Sequence, residues 1–517
     1  MKLSVGNSCS YSFWSVLPTL ILSSCITTIS NAQVTSAGGG DSSGLFFISP
    51  TFSSTETWTS NISPADPVGK SGWVSQVSPG INIRSGSGRV KGYLNYSLNL
   101  LNYSDGQGKN SLQNSLNSSI NTEVIDGHGY IDISGVITQQ TISAFSTQTN
   151  NNNYNLNKTE VTSYNLTPSY RGRLSNIFTY EARYGLTTTQ VKNENKFSSN
   201  ENLALLNING DEIFGKLSSS LSTSRQVVSR QDASETEIDK INLTLSYPII
   251  NQLIFSISGG RELQNYTSLS KVSSWNSGVG VNWSISGMTK VSANLENNPL
   301  GKLHSLNFQH RTPRTSWTVS DTKSVSLSNS RNSTGQGNNY DLLYAQFSSI
   351  EADPIKRAQL VNNYLQINGI NANSSSINGY LTSGTSVQRS QNITFAVLGV
   401  RDTLTFTSTR STGNSVKTSI SGNDDFNNSN SIRQNGFALA YTHRLTESVV
   451  ISDQFSMQKI YGNSESQNSE LKSNNISAST RVGSKAYFTL SARHSISSSS
   501  SFPYKETAIT GNLTVQF

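Results

Sequence analysis

Apolar and polar residues alternate with a period of two in segment after segment of this chain. Val90, Gly92, Leu94, Tyr96, Leu98 and Leu100 interleave with Lys91, Tyr93, Asn95, Ser97 and Asn99, and Ile241, Leu243, Leu245 and Tyr247 interleave with Asn242, Thr244 and Ser246. The pattern recurs at Ile131–Thr138, Gly278–Ile285 and Tyr487–Arg493. Successive side chains of a strand point to opposite faces, so each segment makes a strand with one apolar and one polar face. No segment reaches the roughly 18 apolar residues of a membrane-spanning helix. Such a sheet either stays in water with one wet face, as in a soluble antiparallel sheet or a β-solenoid, or closes into a barrel with lipid outside and water inside.

Composition narrows the choice. Only 34% of the residues are hydrophobic and 13% charged, below the quarter or so of charged residues in ordinary soluble domains. Disordered chains are poor in aromatics, whereas this one has 20 Tyr, 19 Phe and 6 Trp. Tight turn signals occur at Ser85–Gly88, Asp126–Gly129, Arg171–Arg173, Asn209–Asp211, Tyr247–Asn251, Ser286–Met288, Arg311–Arg314, Arg444–Glu447 and Gly483–Lys485. Longer polar stretches separate them, such as Thr147–Asn157, Ser328–Asn339 and Ser411–Asn430. Short turns alternating with long loops is the rhythm of an outer-membrane barrel, with the turns periplasmic. The chain then ends on an alternating strand, Ile509, Gly511, Leu513, Val515 and Phe517, whose carboxy-terminal aromatic suits recognition by a barrel-assembly machinery. Ile509, Leu513, Val515 and Phe517 are therefore the expected assembly signal. The expected fold is all-β, a large transmembrane antiparallel β-barrel over 45–517 of about 20–22 strands (range about 16–24).

The amino terminus reads as an export signal over 1–32. Lys2 precedes an apolar stretch within Phe13–Ile29, and Ser30-Asn31-Ala32 offers the small residues a signal peptidase reads, with cleavage between Ala32 and Gln33. Leu22-Ser23-Ser24-Cys25 is a competing lipoprotein box. Residues 33–44 would be a short periplasmic segment. Both cysteines, Cys9 and Cys25, lie in the signal, so the mature chain carries no disulfide. Glu351–Gly369 breaks the β pattern. Asp353 as N-cap, Pro354 at the first helical position, Arg357, the apolar stripe containing Val361 and Leu365, and Gly369 as C-cap predict one short periplasmic or luminal helix, inserted at 351–370. The alternation of turns and loops places it where a periplasmic turn belongs, as a gate, a plug, a docking element or a plain connection.

Constellations for chemistry are lacking. The five histidines, His128, His304, His310, His443 and His494, have no metal-ligand spacing, and no cofactor site or catalytic residue is expected. Ser and Asn are so frequent that a Ser near a His is uninformative, though a barrel hydrolase is a conceivable rival. The net charge of +7 is scattered rather than clustered, which excludes a nucleic-acid partner. Arg84, Arg89, Lys91, Arg171, Arg173, Arg183, Arg481 and Arg493 sit in or beside strands; pointing inward, they would favour anions or acidic sugars.

Several segments resemble the outer-membrane β-barrel proteins associated with the PEP-CTERM system, which are encoded with exosortase and exopolysaccharide-synthesis genes. They are VSPGINI at Val77–Ile83, GYLNYSLNLLNYS at Gly92–Ser104, Asn114–Leu116, EVIDGHGYIDISGVITQQTISAF at Glu123–Phe145, LTPSY at Leu166–Tyr170, the Asp353–Gly369 segment and GVRDTLT at Gly399–Thr405. The resemblance implies an outer-membrane location and a role tied to surface polysaccharide or its sorting system. The partners expected are outer-membrane lipid and lipopolysaccharide, the assembly machinery, exopolysaccharide and periplasmic export proteins. The leading expectation is a porin-like, non-enzymatic barrel assisting export or surface anchoring of exopolysaccharide. The alternatives are a non-conducting structural barrel whose loops dock polysaccharide or sorted proteins, and a secreted β-rich adhesin.

Overall fold

The computed structural model of the protein describes residues 46–64, 69–86, 88–104, 110–149, 155–194, 197–230, 233–268, 270–327, 377–416, 424–499 and 503–517. The sheet begins with β1 (Phe47–Thr59), β2 (Gly72–Ser85), β3 (Val90–Tyr103), β4 (Ser111–Ile125), β5 (Gly129–Thr141), β6 (Lys158–Arg173) and β7 (Phe178–Val191). It continues through β8 (Ser199–Phe214), β9 (Leu217–Arg230), β10 (Ala233–Ile250), β11 (Leu253–Gln264), β12 (Val272–Trp283), β13 (Thr289–Asn298), β14 (Gly301–Arg311) and β15 (Thr315–Ser326). After a long connection come β16 (Ser386–Leu398), β17 (Asp402–Ser415), β18 (Ser431–Arg444), β19 (Val449–Tyr461), β20 (Ser469–Val482), β21 (Ala486–Ser499) and β22 (Tyr504–Gln516). Each strand pairs antiparallel with its neighbours in the chain, and β22 pairs with β1 from Thr51↔Gln516 to Thr59↔Ala508, which closes a 22-stranded barrel. Closure leaves no edge with unpaired backbone groups, the condition a sheet must meet in lipid.

The apolar rows face outward. Ile241, Leu243, Tyr247, Ile257, Val279, Trp283, Leu490, Ile509 and Leu513 are all at least a third exposed, while the residues between them line the lumen. A surface of this kind in water would be a very large apolar patch; around a closed barrel it is the lipid-facing belt. The protein is an outer-membrane barrel, and among the described residues no helix is long and apolar enough to cross a membrane. Aromatic side chains mark the belt: near the turn end Trp317 packs on Phe395 at 4.0 Å, and further along the strands Phe437 lies between Phe406 and Phe455 at 5.2 and 6.2 Å. Strands of 10 to 18 residues exceed, for the most part, the roughly 9–11 a tilted strand needs to span a bilayer. Toward the loop end the outward rows accordingly turn polar, as at Asp321 and Arg389, which pair at 2.5 Å.

Inside, short polar side chains couple the strands. Thr57 and Thr510 are 3.0 Å apart across the closing seam, Asn512 Nδ2 donates to Ser53 and Thr55, and Ser473–Ser495, Ser452–Ser477 and Asn165–Thr187 repeat the arrangement. Each pair contributes a few tenths of a kcal/mol to about 1 kcal/mol.

The connections fall into two sets. From β2–β3 to β20–β21, every even-to-odd connection is short, from two residues (215–216) to five (284–288), and all lie at the end that holds both termini of the barrel. The odd-to-even connections at the opposite end include 60–71, 142–157, 416–430 and 327–385, though four residues or fewer separate β9 from β10, β13 from β14 and β21 from β22. Three turn signals fall ahead of the turn: Tyr247–Ile250 still belong to β10, and the chain reverses at 251–252. Arg171–Arg173 completes β6, and the turn follows it at 174–177. Asn209–Asp211 lies within β8; the register shifts between Gly210 and Phe214, Glu212 adopts φ 52°, and the turn comes at Gly215 with φ 65°. The Asn-Gly-Asp signal marks a bulge, where one strand accommodates extra residues, rather than a reversal.

The connection that carries 351–370 also joins the strands at another end than expected. Asp353, Pro354, Arg357, Val361, Leu365 and Gly369 lie outside the described residues, as do Ala32 and Gln33. The strands that flank the insertion are placed, however: Ser326 at the end of β15 pairs with Ser386 at the start of β16, at the long-loop end. The insertion therefore departs from and returns to the loop end, not a periplasmic turn. Counting turns by sequence missed the reversal at 399–401, between β16 and β17, which shifted the assignment by one strand.

Gly92 shows how closely the wall is packed. Its φ of 155° is one that side chains rarely adopt, and a Cβ there would lie 2.2 Å from the Ser119 carbonyl oxygen. Gly92→Ala is expected to cost about 1–3 kcal/mol, read as a lower urea midpoint for the barrel refolded in detergent.

Candidate functional site: the lumen and its two mouths

Buried apolar side chains on the inner wall gather near the loop end. Ala144, Tyr380, Phe426, Ile432 and Ile460 form one cluster, with Phe145 packed against it. Val161, Val191, Phe197 and Leu381 form a second, and Ile62, Val74, Leu101 and Tyr103 a third. Ile432 is second in β18, Ile460 is next to last in β19 and Tyr103 ends β3, so the apolar positions sit where the strands meet the loops. The alternation cannot continue to that end, because inward positions there face folded-in loops rather than water.

Two adjacent carboxylates hold these loops. Asp425 accepts from Ser143 Oγ (2.7 Å) and from the Ala144 backbone N–H (2.6 Å), tying the 416–430 loop to the 142–157 loop. Asp424 accepts from the Ser383 N–H (2.7 Å) and Oγ (2.8 Å), tying it to the segment that leads into β16. Asp424 also caps the single helical turn Asp425–Asn428 by accepting from Phe426 N–H, and that turn aims Phe426 into the first cluster. Further ties cross the mouth. Tyr504 donates to the Gln148 carbonyl at 2.7 Å, and Asn378 bridges Gln434 and Gln458 at 3.0 and 3.1 Å. Beyond the end of β11, Tyr266 donates to Glu262 at 2.6 Å; burial and then that carboxylate push its hydroxyl well above the ordinary tyrosine range, so it remains a donor. The loop end thus carries a lid assembled from separate loops.

The turn end is different. Arg84, Lys91, Arg171, Arg173, Arg183 and Arg481 all stand on inward rows close to the turns, as shown by their pairing with inward residues such as Tyr93, Glu181 and Tyr487. Arg171, Arg173 and Arg183 line one recess of about 660 Å³ together with His128, Glu181 and Asn209. Carboxylates on this face are engaged: Glu181 with Arg183 at 2.6 Å, Asp132 with Asn121 at 2.6 Å, and Glu123 with the Gly127 N–H at 2.5 Å. The remaining cations of the sequence set fall elsewhere. Arg89 lies in the 86–89 turn, paired with Asp126, and Arg493 stands midway along β21, 2.9 Å from Glu506. Lys290, at the turn end of β13, joins the inward set unannounced; in the sequence it is one lysine in a segment with no other mark.

Histidines do not assemble a centre. His304 faces Asp321 at 3.0 Å and His443 faces Asp402 at 2.7 Å, both on outward rows, and no metal-holding group occurs among the described residues. Of the expected assembly residues, Ile509, Leu513 and Phe517 are exposed on the outer wall at the seam, and the Phe517 N–H donates to the Pro50 carbonyl at 3.0 Å. In the sequence Asp424 and Asp425 are two residues of a polar loop. The one signal available was an acidic pair preceding an aromatic residue in a loop of Ser, Asn and Gly.

No protein-family model matches the chain, and no curated protein does. Among solved structures the chain is similar to the FrpB iron transporter from Neisseria meningitidis (F5-1 variant) at 11% identity and a TM-score of 0.48, covering 91% of this chain and 82% of that one. It is also similar to the ferric-catecholate import receptor Fiu from E. coli K12 (8%, 0.47, 91% and 82%) and to the siderophore receptor PirA from Pseudomonas aeruginosa (8%, 0.43, 91% and 80%). These likenesses are loose, and the identities are too low to carry a ligand from those proteins to this one.

Proposed function

We propose that the barrel guides an acidic exopolysaccharide between the periplasm and the cell surface, without chemistry of its own. The observation that carries this reading is the turn-end recess lined by Arg171, Arg173 and Arg183. A wall with a net positive charge, here three arginines against Glu181, concentrates anions at a pore mouth, and planar guanidinium groups suit the carboxylates of acidic sugars. Above it, the hydroxyls and amides of the lumen offer neutral partners to successive sugar units without holding any one tightly. The lid explains how such a pore stays shut when idle. The resemblance of the sequence to PEP-CTERM-associated barrels supports a surface polysaccharide as the cargo.

A second reading also has an observation in its favour. The lid is tied by charged and neutral hydrogen bonds and packed around Phe426, which suits a permanently filled barrel whose loops dock polysaccharide. Planar bilayers separate the two. Under a salt gradient, barrel whose lid is loosened by Asp424→Ala with Asp425→Ala is expected to conduct with a preference for anions. Arg171→Gln, Arg173→Gln and Arg183→Gln added to it should move the reversal potential toward zero. If neither wild type nor the loosened barrel conducts, or the triple substitution leaves selectivity unchanged, the export reading falls and the docking platform replaces it.

A further inference from the structure

The outer wall over β6–β11 is not a uniform apolar belt. Ala182, Ala204 and Thr223 are short where Tyr170, Tyr184 and Ile241 stand tall, and between them runs a groove of about 690 Å³. One cross-strand row, Tyr170–Ala182–Leu206–Thr223–Ile241–Arg261, follows it. The row starts three residues from the turn end of β6, at Arg173, and finishes three residues from the loop end of β11, at Gln264. The groove therefore climbs the wall from the turn side toward the loop side. Its size is within the roughly 300–1,000 Å³ of ligand-binding clefts.

Its upper end is charged. Arg225 and Arg261 border it with Asp239. Arg225 Nη2 lies 3.1 Å from Glu237 and its Nε 3.7 Å from Asp239, while Lys271 bridges the same carboxylates at 2.6 and 3.2 Å. Arg261 Nε donates to Ser273 at 2.6 Å, with its guanidinium 6.0 Å from the ring of Trp275, which is 79% exposed. Three cations stand against two carboxylates, next to a tryptophan of the kind that settles at a membrane interface.

We propose that this groove binds one acylated, phosphorylated sugar lipid of the loop-side leaflet. The acyl chains lie along the apolar part of the groove, between Tyr170, Tyr184 and Ile241. The phosphate meets Arg225 and Arg261, and sugar hydroxyls donate to Asp239 and Glu237. The mixed charge suits this headgroup: the carboxylates, held by Arg225 and Lys271, keep further lone pairs for sugar hydroxyls, while the guanidinium groups take the phosphate. A free anion would leave the apolar groove unfilled. The site is on the outer wall and independent of passage through the lumen.

Native mass spectrometry of the full barrel, extracted in mild detergent, tests this. Wild type is expected to retain one phosphoglycolipid. When delipidated barrel is placed in nanodiscs holding either that glycolipid or phosphatidylglycerol, it should recover the glycolipid in preference. Arg225→Gln with Arg261→Gln should weaken retention by about tenfold or more, and Ala204→Trp should abolish it by filling the groove. Folding of each variant is read from its heat-shifted gel band. If Ala204→Trp does not fold, the arginine pair decides, since those side chains lie outside the strand pairing. Wild type that retains no glycolipid, equal retention of phosphatidylglycerol, or folded arginine variants that retain glycolipid like wild type would each overturn the proposal.

Discussion

Truncation at Ala508 is expected to abolish the compact, heat-modifiable band of the barrel, whereas deletion of Phe517 alone should leave it intact after refolding in detergent. Removing residues 509–517 unpairs β1 over Thr51–Trp58 and β21 over Ala486–Ala492. Each backbone group stranded in lipid costs several kcal/mol, so the summed penalty is on the order of tens of kcal/mol, beyond the stability of a typical protein. Phe517 is a far smaller matter thermodynamically. It contributes one backbone hydrogen bond, at 3.0 Å to Pro50, and its ring is 49% exposed. A net hydrogen bond is worth about 0.5–1.5 kcal/mol. A strong loss of Phe517-deleted barrel in cells, alongside normal refolding of the purified chain, would identify the terminal ring as an assembly signal. Equal loss in both settings would contradict that role.

The double substitution Asp424→Ala and Asp425→Ala is expected to open the loop-end mouth. It removes four hydrogen bonds to other loops and the cap on the Phe426 turn. Hydrogen bonds to charged groups contribute about 1.5–3 kcal/mol each, and a helix cap about 1 kcal/mol. The lid would lose several kcal/mol even after solvent compensates in part, while the barrel wall, paired by its backbone, keeps its stability. Hydrogen exchange should rise over 142–149 and 377–385 with the strands unaffected, and bilayer conductance should increase. Unchanged exchange in those segments would show that the apolar clusters hold the lid without the carboxylates.

Period-two alternation was enough to read the wall. The rows Val279–Val281–Trp283, Phe488–Leu490 and Ile509–Leu513 face outward as the pattern requires, because a residue's face in a strand depends on parity alone. Strand number was legible for the same reason, within the slack left by the turn missed at 399–401. Reading failed where a local signal has two structural meanings. Asn209–Asp211 suits a turn and a bulge equally, and the cross-strand register with β9 decides between them. The inward cations were legible one at a time by parity. Their convergence was not: Arg171 and Arg173 come from β6 and Arg183 from β7, and adjacent strands bring them to one recess.

The lid lies further beyond sequence reading. Ser143 and Asp425 are separated by 282 residues, and Ser383 and Asp424 by 41, with no period or motif linking them. Along a strand, the chain's own geometry carries a side chain to lipid or to water, so the primary order of residues dictates the wall and its closure. Across the mouth, which loop meets which depends on how 22 strands curve around a common axis, and only the closed barrel brings Asp424 and Asp425 to their partners.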